Sequence, residues 1–198
     1  MRTVVLASGS ATRKALLAAA GVDLIQVSPQ VDEAPIKVAL RTQGADAPAA
    51  ALALAEAKAL EVGHNHGQAL VIGADQMLDC EGRWFDKPRD RAAAQHQLQM
   101  LRGRRHRLST AVVVATAGTV LWHHLDLATL TMRPFSDAFL GRYLDQAGTA
   151  VQSSVGAYQL EGLGAQLFSE VTGDHFAILG LPLLPLLDFL RRHGVVPS

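Results

Sequence analysis

An α/β fold with a mixed, twisted sheet and flanking helices follows from three features of the sequence. Short apolar runs of strand character recur at Thr3 to Ala7, Val22 to Val27 and Ala69 to Ala74. Stretches with helical spacing are interleaved with them, which is the pattern of a sheet covered by helices. Two longer β-rich runs, Leu108 to Ala117 and Val120 to Met132, meet across an Ala-Gly turn and read as antiparallel partners.

Taken in order, Thr3 to Ala7 is a buried strand. Ser10 caps a helix through "TRKALLAAAG" that Gly21 stops. A second strand follows, and Pro29 then opens an irregular segment, "SPQVDEAPIK". Ala49 to Val62 is an alanine-rich helix. Ala69 to Ala74 is a strand that delivers Asp75 and Gln76 at its end. Gln76 to Asp86 makes a hairpin around "CEG". Arg89 to Leu101 is a helix ended by Gly103, and Ser136 caps another, "DAFLGRYLDQ". Gly156 to Gly164 reads as a glycine-rich loop, and Pro182 to His193 as the last helix.

The 198 residues suit one large domain or two small ones. With 49% hydrophobic and 18% charged residues the chain is globular rather than disordered. Lys+Arg and Asp+Glu number 18 each, a balance that argues against a nucleic-acid or membrane-surface binder. One cysteine, Cys80, excludes an intramolecular disulfide and a multi-cysteine zinc site, and it points to the cytoplasm. It sits at a hairpin tip without an activating neighbourhood. The apolar start is too short for a signal peptide. "FAILGLPLLPLLDFL" is too short, and too broken by prolines, to span a bilayer. His64, His66, His123 and His124 lack the spacing of a zinc hydrolase and read as surface or structural groups.

Four polar clusters interrupt the apolar pattern: Ser8, Ser10, Arg13 and Lys14 at a helix start; Asp32 and Glu33 between prolines; Asp75 and Gln76 at a strand end; and Lys87 in "DKPRD". A helix start with nearby cations suits an anion. In open α/β sheets sites lie beyond the carboxyl ends of strands. Two acidic positions suit a divalent cation, and several basic ones suit phosphates; phosphoryl transfer needs that combination. There is no P-loop, which excludes a Walker-type ATPase.

The segments "LASGSATRKALLAAAG", "VDE", "IGADQ", "DKP", "LRGRRHRLSTAVVV", "EGLGAQLF", "TGD" and "ILGLPL" stand in the order seen in the Maf family, and the chain resembles that family over nearly its whole length. The resemblance implies a single domain across 1–198, with a fold like inosine triphosphate pyrophosphatase and a cleft between two lobes. It implies a Mg or Mn cofactor and hydrolysis of a nucleoside triphosphate to monophosphate and pyrophosphate. A homodimer is implied as well. Residue by residue, it makes Asp75 the proton acceptor and Glu33 its partner at the metal. Ser8, Arg13, Lys14, Lys58 and Lys87 fall at positions contacting the triphosphate. Lys14 replaces an arginine, keeping charge but losing the bidentate fork, and Ala11 replaces a proline.

Thr12, Gln76 and Glu161 occupy the three positions that separate substrate classes in that family. "DQ" and "EG" resemble the 7-methyl-GTP subgroup, whereas dTTP/UTP-type members carry "ADT" and "QG". A carboxylate at Glu161 accepts both donors of a guanine edge and repels the carbonyls of uracil or thymine, and N7 methylation strengthens the pairing. That subgroup carries tryptophan where Thr12 stands, so a stacking face is lost; Trp84 is the sequence's candidate to replace it. The rival classes are a dTTP/UTP-type pyrophosphatase, a nucleotide-binding regulator of cell division, and a nucleotide-binding domain without turnover.

Overall fold

In the computed structural model, which describes residues 2–197, a mixed sheet of seven strands is flanked by helices. The strands are β1 (Val4–Ala7), β2 (Ile25–Val27), β3 (Leu70–Cys80), β4 (Arg83–Phe85), β5 (Arg105–Thr116), β6 (Thr119–Met132) and β7 (Phe168–Thr172). The helices are α1 (Ala11–Ala19), α2 (Glu33–Thr42), α3 (Ala47–Gly63), α4 (Arg91–Leu101), α5 (Asp137–Ala147), α6 (His175–Ile178) and α7 (Leu183–Arg192). The sheet order is β2-β1-β3-β5-β6-β7, with β4 paired to β3. Among the described residues, no helix is long and apolar enough to cross a membrane.

β3 organises the molecule. Its first residues pair in parallel with β1, from Val4↔Leu70 to Ala7↔Gly73. Its last residues pair antiparallel with β4, from Leu78↔Phe85 to Cys80↔Arg83. Residues 74–77 therefore have no strand partner on that edge. The opposite edge is continuously paired with β5, from Val71↔Ala115 to Asp79↔Arg107. The result is a notch in one side of an otherwise well-paired strand.

One apolar cluster lies around β1 and the start of β3, where Leu6, Leu17, Ile72 and Leu186 are fully buried. A second surrounds the end of β3, with Leu78, Leu98, Leu130 and Leu144. A third is built from alanines: Ala50, Ala51, Ala55 and Ala59 of α3 lie against Ala111 and Val113 of β5. Small side chains let α3 settle unusually close to the sheet. A Cβ built on Gly73 would lie 2.1 Å from the Ala55 carbonyl oxygen and 2.8 Å from the Ala59 nitrogen.

Most elements fall where the sequence places them. Ser10 accepts from the Arg13 amide at 3.3 Å to cap α1, and Ser136 accepts from Phe139 at 3.2 Å to cap α5. Three differ. β3 does not stop at Ala74 but runs on through Asp75 and Gln76, because β5 pairs with both (Asp75↔Ala111, Gln76↔Thr110). The segment read as irregular after Pro29 becomes α2. Asp32 caps it by accepting from Ala34 at 3.2 Å, and Pro35 is its third residue. A first-turn amide has no intrahelical acceptor, so proline costs no hydrogen bond there. Finally, the short, mostly exposed sequence "FSEVT" forms β7 by pairing with the end of β6. The glycine-rich stretch from Gly156 to Gly164 is a loop as expected, entered and left through short 3-10 turns at Val155–Ala157 and Leu163–Leu167.

Candidate active site

The notch in β3 opens into a cavity of about 510 Å³. Asp75 and Gln76 form its floor. The start of α1 contributes Thr12 and Arg13, the start of α2 contributes Glu33 and Lys37, and α3 contributes Lys58. Asp86 and Lys87 come from the turn after β4, and Glu161 comes from the segment of 3-10 turns. Distant stretches of sequence thus converge on one strand.

Lys58 stands at the centre. Its ammonium lies 2.5 Å from Asp75 Oδ1 and 2.7 Å from Glu33 Oε1, so it bridges the two carboxylates. Close packing of α3 on Gly73 is what lets a lysine on that helix reach a carboxylate on β3. Asp75 is 6% exposed, and Lys58 is the cation that pairs with it there. Lys37 extends the chain of charges, 3.0 Å from Glu33 and 2.7 Å from Asp86. Burial opposes ionisation of Glu33, but the hydrogen bonds and charges of Lys58 and Lys37 outweigh it and lower its pKa. Burial likewise opposes the charge on Lys37, and Asp86 and Glu33 outweigh it, raising its pKa.

Arg13 is fixed on two sides. Nε donates to the Gly180 carbonyl at 2.7 Å, and one terminal nitrogen donates to the Ala74 carbonyl at 2.8 Å and Ser8 Oγ at 3.1 Å. The Ala74 carbonyl is free to accept because the notch leaves it without a strand neighbour. Burial lowers the pKa of Arg13, opposed by Asp75 and Glu33; a guanidinium stays charged at neutral pH even so. Lys87 has no ion-pair partner among the described residues. Partial burial lowers its pKa, reinforced by the charges of Arg13 and Lys58 and opposed by Glu33 and Asp75. A cation pressed against other cations favours an incoming anion, and the N-terminus of α1 beside it adds to that field.

The site residues expected from the sequence do not all meet. Thr12, Arg13, Glu33, Lys58, Asp75, Gln76, Lys87 and Glu161 line the cavity. Ser8 is buried behind it and touches Arg13 instead. Lys14 is exposed and is not part of the wall. Trp84 packs against the α3 cluster, with the Arg41 guanidinium 4.5 Å from its ring centre, and it is not part of the cavity wall either. Tyr158 is an aromatic that does line the cavity. Sequence reasoning missed Tyr158 and Lys37. For Lys37 a signal existed: it follows Glu33 by four residues, the spacing of a helical ion pair, but the flanking prolines hid the helix.

Glu161 is exposed on the wall formed by the 3-10 turns. The hydrogen bonds that tie this segment together run through other residues. Gln159 donates to Ser153 Oγ at 2.9 Å, Ser153 donates to the Ala150 carbonyl at 2.7 Å, and Ser154 donates to the Tyr158 carbonyl. Glu161 takes no part in them and faces the cavity.

No cluster of three or more acidic, histidine or cysteine side chains is gathered for a metal among the described residues. Glu33 and Asp75 nevertheless suit Mg²⁺ or Mn²⁺, because such ions are commonly held by one or two carboxylates together with water and substrate phosphates. The two carboxylates already share one cation, the ammonium of Lys58.

The profile of the family described as "Maf-like protein" matches residues 3–193, and the chain belongs to the Maf family. It is 55% identical over 189 residues to the nucleoside triphosphate pyrophosphatase of Paramagnetospirillum magneticum, covering 96% of this chain and 97% of the relative. The nucleoside triphosphate pyrophosphatase of Rhodospirillum rubrum is 53% identical over 195 residues, covering 98% and 96%. The 7-methyl-GTP pyrophosphatase of Brucella abortus is 47% identical over 193 residues, covering 98% and 97%.

Proposed function

We propose that this chain is a nucleoside triphosphate pyrophosphatase that hydrolyses its substrate to a monophosphate and pyrophosphate. The observation that carries the reading is the buried Asp75 carboxylate, held by Lys58 inside a notch rimmed by Arg13 and the unpaired Lys87. A non-enzymatic regulator has no use for so costly an arrangement of buried charge. The names of the relatives support the same reaction.

In this reading Asp75 orients a water and takes its proton as the water oxygen bonds to the α-phosphorus. The α–β anhydride bond breaks, and pyrophosphate leaves with the electron pair. Arg13, Lys58 and Lys87 meet the negative charge of the leaving group, and Lys37 holds Glu33 in place. A Mg²⁺ or Mn²⁺ ion held by Glu33 and Asp75 would neutralise charge on the phosphate oxygens. The compartment is the cytoplasm, in keeping with a single buried thiol whose pKa burial raises. Chromatography of the products tests the reaction: monophosphate and pyrophosphate are expected, and stepwise release of orthophosphate overturns it.

Glu33→Gln tests the metal. Removing a ligand charge raises the Mg²⁺ concentration needed for half-maximal turnover; an unchanged metal titration overturns the role of Glu33.

The base is read as guanine-like, with 7-methyl-GTP as the best candidate, and the observation favouring it is the uncommitted carboxylate of Glu161 on the cavity wall. Glu161→Gln is expected to shift preference toward dTTP and UTP by about 1–3 kcal/mol, the span for loss of a paired polar contact. Specificity constants for the four canonical triphosphates and 7-methyl-GTP check it; equal losses on every base reject the role.

A further inference from the structure

Gln76 sits at a position where the family resemblance places substrate discrimination, and it lines the cavity. Its amide nitrogen is committed elsewhere. Nε2 lies 2.9 Å from Thr110 Oγ1, 3.0 Å from the Ala177 carbonyl and 3.1 Å from the Ile178 carbonyl. Two of these partners are backbone carbonyls, which can only accept, so the amide orientation is unambiguous: the nitrogen faces α6. The Thr110 hydroxyl accepts from Gln76 and donates to the same Ala177 carbonyl at 2.9 Å. β3 and β5 thus place these side chains opposite one another, and both grip the C-terminal end of α6.

That end leads within two residues to Gly180, whose carbonyl accepts from Arg13 Nε at 2.7 Å. Gly180 has φ +108°, a backbone state that disfavours any other residue, so the carbonyl's direction is set by the local chain path. Arg13 has five N–H donors. Nε is spent on Gly180, and one terminal nitrogen is spent on Ala74 and Ser8, which leaves the other terminal nitrogen uncommitted. The aim of that nitrogen is set on one side by β3 and on the other by the segment that Gln76 holds.

We propose that Gln76 is a positioning residue for Arg13: by gripping Ala177 and Ile178 it fixes the Gly180 carbonyl and, through it, the guanidinium face offered to the triphosphate. This rests on the reading of the cavity as a triphosphate site. It gives the position a way to affect turnover without touching the base. A side chain at 76 too short to span to α6 would release the segment.

The test combines a measurement independent of substrate with a double-mutant cycle. In the ¹⁵N-labelled protein the Arg13 Nε–H resonance, assigned by its loss in Arg13→Lys, is expected to be protected from solvent exchange. In Gln76→Met, which keeps the bulk and removes the donors, its exchange should rise about tenfold or more, as expected for loss of hydrogen-bonded protection. Thr110→Val removes the other grip on Ala177 and should raise it in the same sense, so the proposal is still tested if Gln76→Met does not fold. Unchanged exchange in the folded variants overturns it, whether or not the protein hydrolyses any triphosphate. With substrate, Gln76→Met should lower kcat/KM about tenfold on every base alike, but less than about twofold in an Arg13→Ala background. Equal losses in both backgrounds, or a loss confined to one base, overturn the coupling in favour of an independent or base-reading role.

Discussion

Asp75→Asn is expected to fold and to lose turnover by about a hundredfold or more, the contribution of a positioned general base. The amide has the size of the carboxylate but takes no proton from water. The fold survives because the substitution does not strand Lys58: Glu33 remains 2.7 Å from its ammonium. Stranding a buried charge is what makes removal of one ion-pair partner costly. Asp75 Oδ1 is taken by Lys58, so the remaining oxygen is the one available to a water. Steady-state rates at saturating substrate and metal, with a thermal melt beside them, check both halves. A rate near that of the unmodified protein removes Asp75 from the chemistry.

Gly73→Ala is expected to cost about 3 kcal/mol or more, the upper end of the range for overpacking, because the new methyl meets backbone rather than a flexible side chain. For a chain of this size that is about 6–12 °C in melting temperature. The Ala55 carbonyl oxygen, 2.1 Å from the added carbon, belongs to a helix that cannot bend away one residue at a time. α3 must withdraw as a body, carrying Lys58 away from Asp75. Turnover should therefore fall even at temperatures where the variant is fully folded. Calorimetry and kinetics at low temperature check this, and a variant that melts normally would show that the helix has slack.

The sequence made the sheet legible because period and turn chemistry repeat along it, and the long β5–β6 pair needs no tertiary information. It made Asp75 conspicuous as a carboxylate next to an apolar run. It did not show that the strand continues through Asp75, since that depends on β5, whose partner residues lie more than thirty positions away (Gln76↔Thr110). α2 was hidden by Pro35, whose position in the first turn removes its usual penalty. β7 was hidden because an edge strand of exposed residues carries no burial pattern. Trp84 illustrates a different limit. Its chemistry suits a base, but which aromatic borders the cavity is decided by the hairpin register, Asp79↔Trp84, and by Arg41 lying over its ring. Tyr158 borders it instead.

The two walls of the cavity come from different kinds of chain. The charged wall is assembled from three helices and a central strand, locked together by the ion pairs of Lys58 with Glu33 and Asp75 and by the hydrogen bonds of Arg13. The opposite wall, from Ser153 to Glu161, is one contiguous stretch of chain, anchored to the body of the protein at Ala157, whose carbonyl accepts from the Tyr143 hydroxyl, and at Tyr158, whose hydroxyl meets buried His106. Nine consecutive codons thus encode that wall, so a protein engineer can exchange it between relatives in a single graft, provided the graft keeps the anchors at Ala157 and Tyr158.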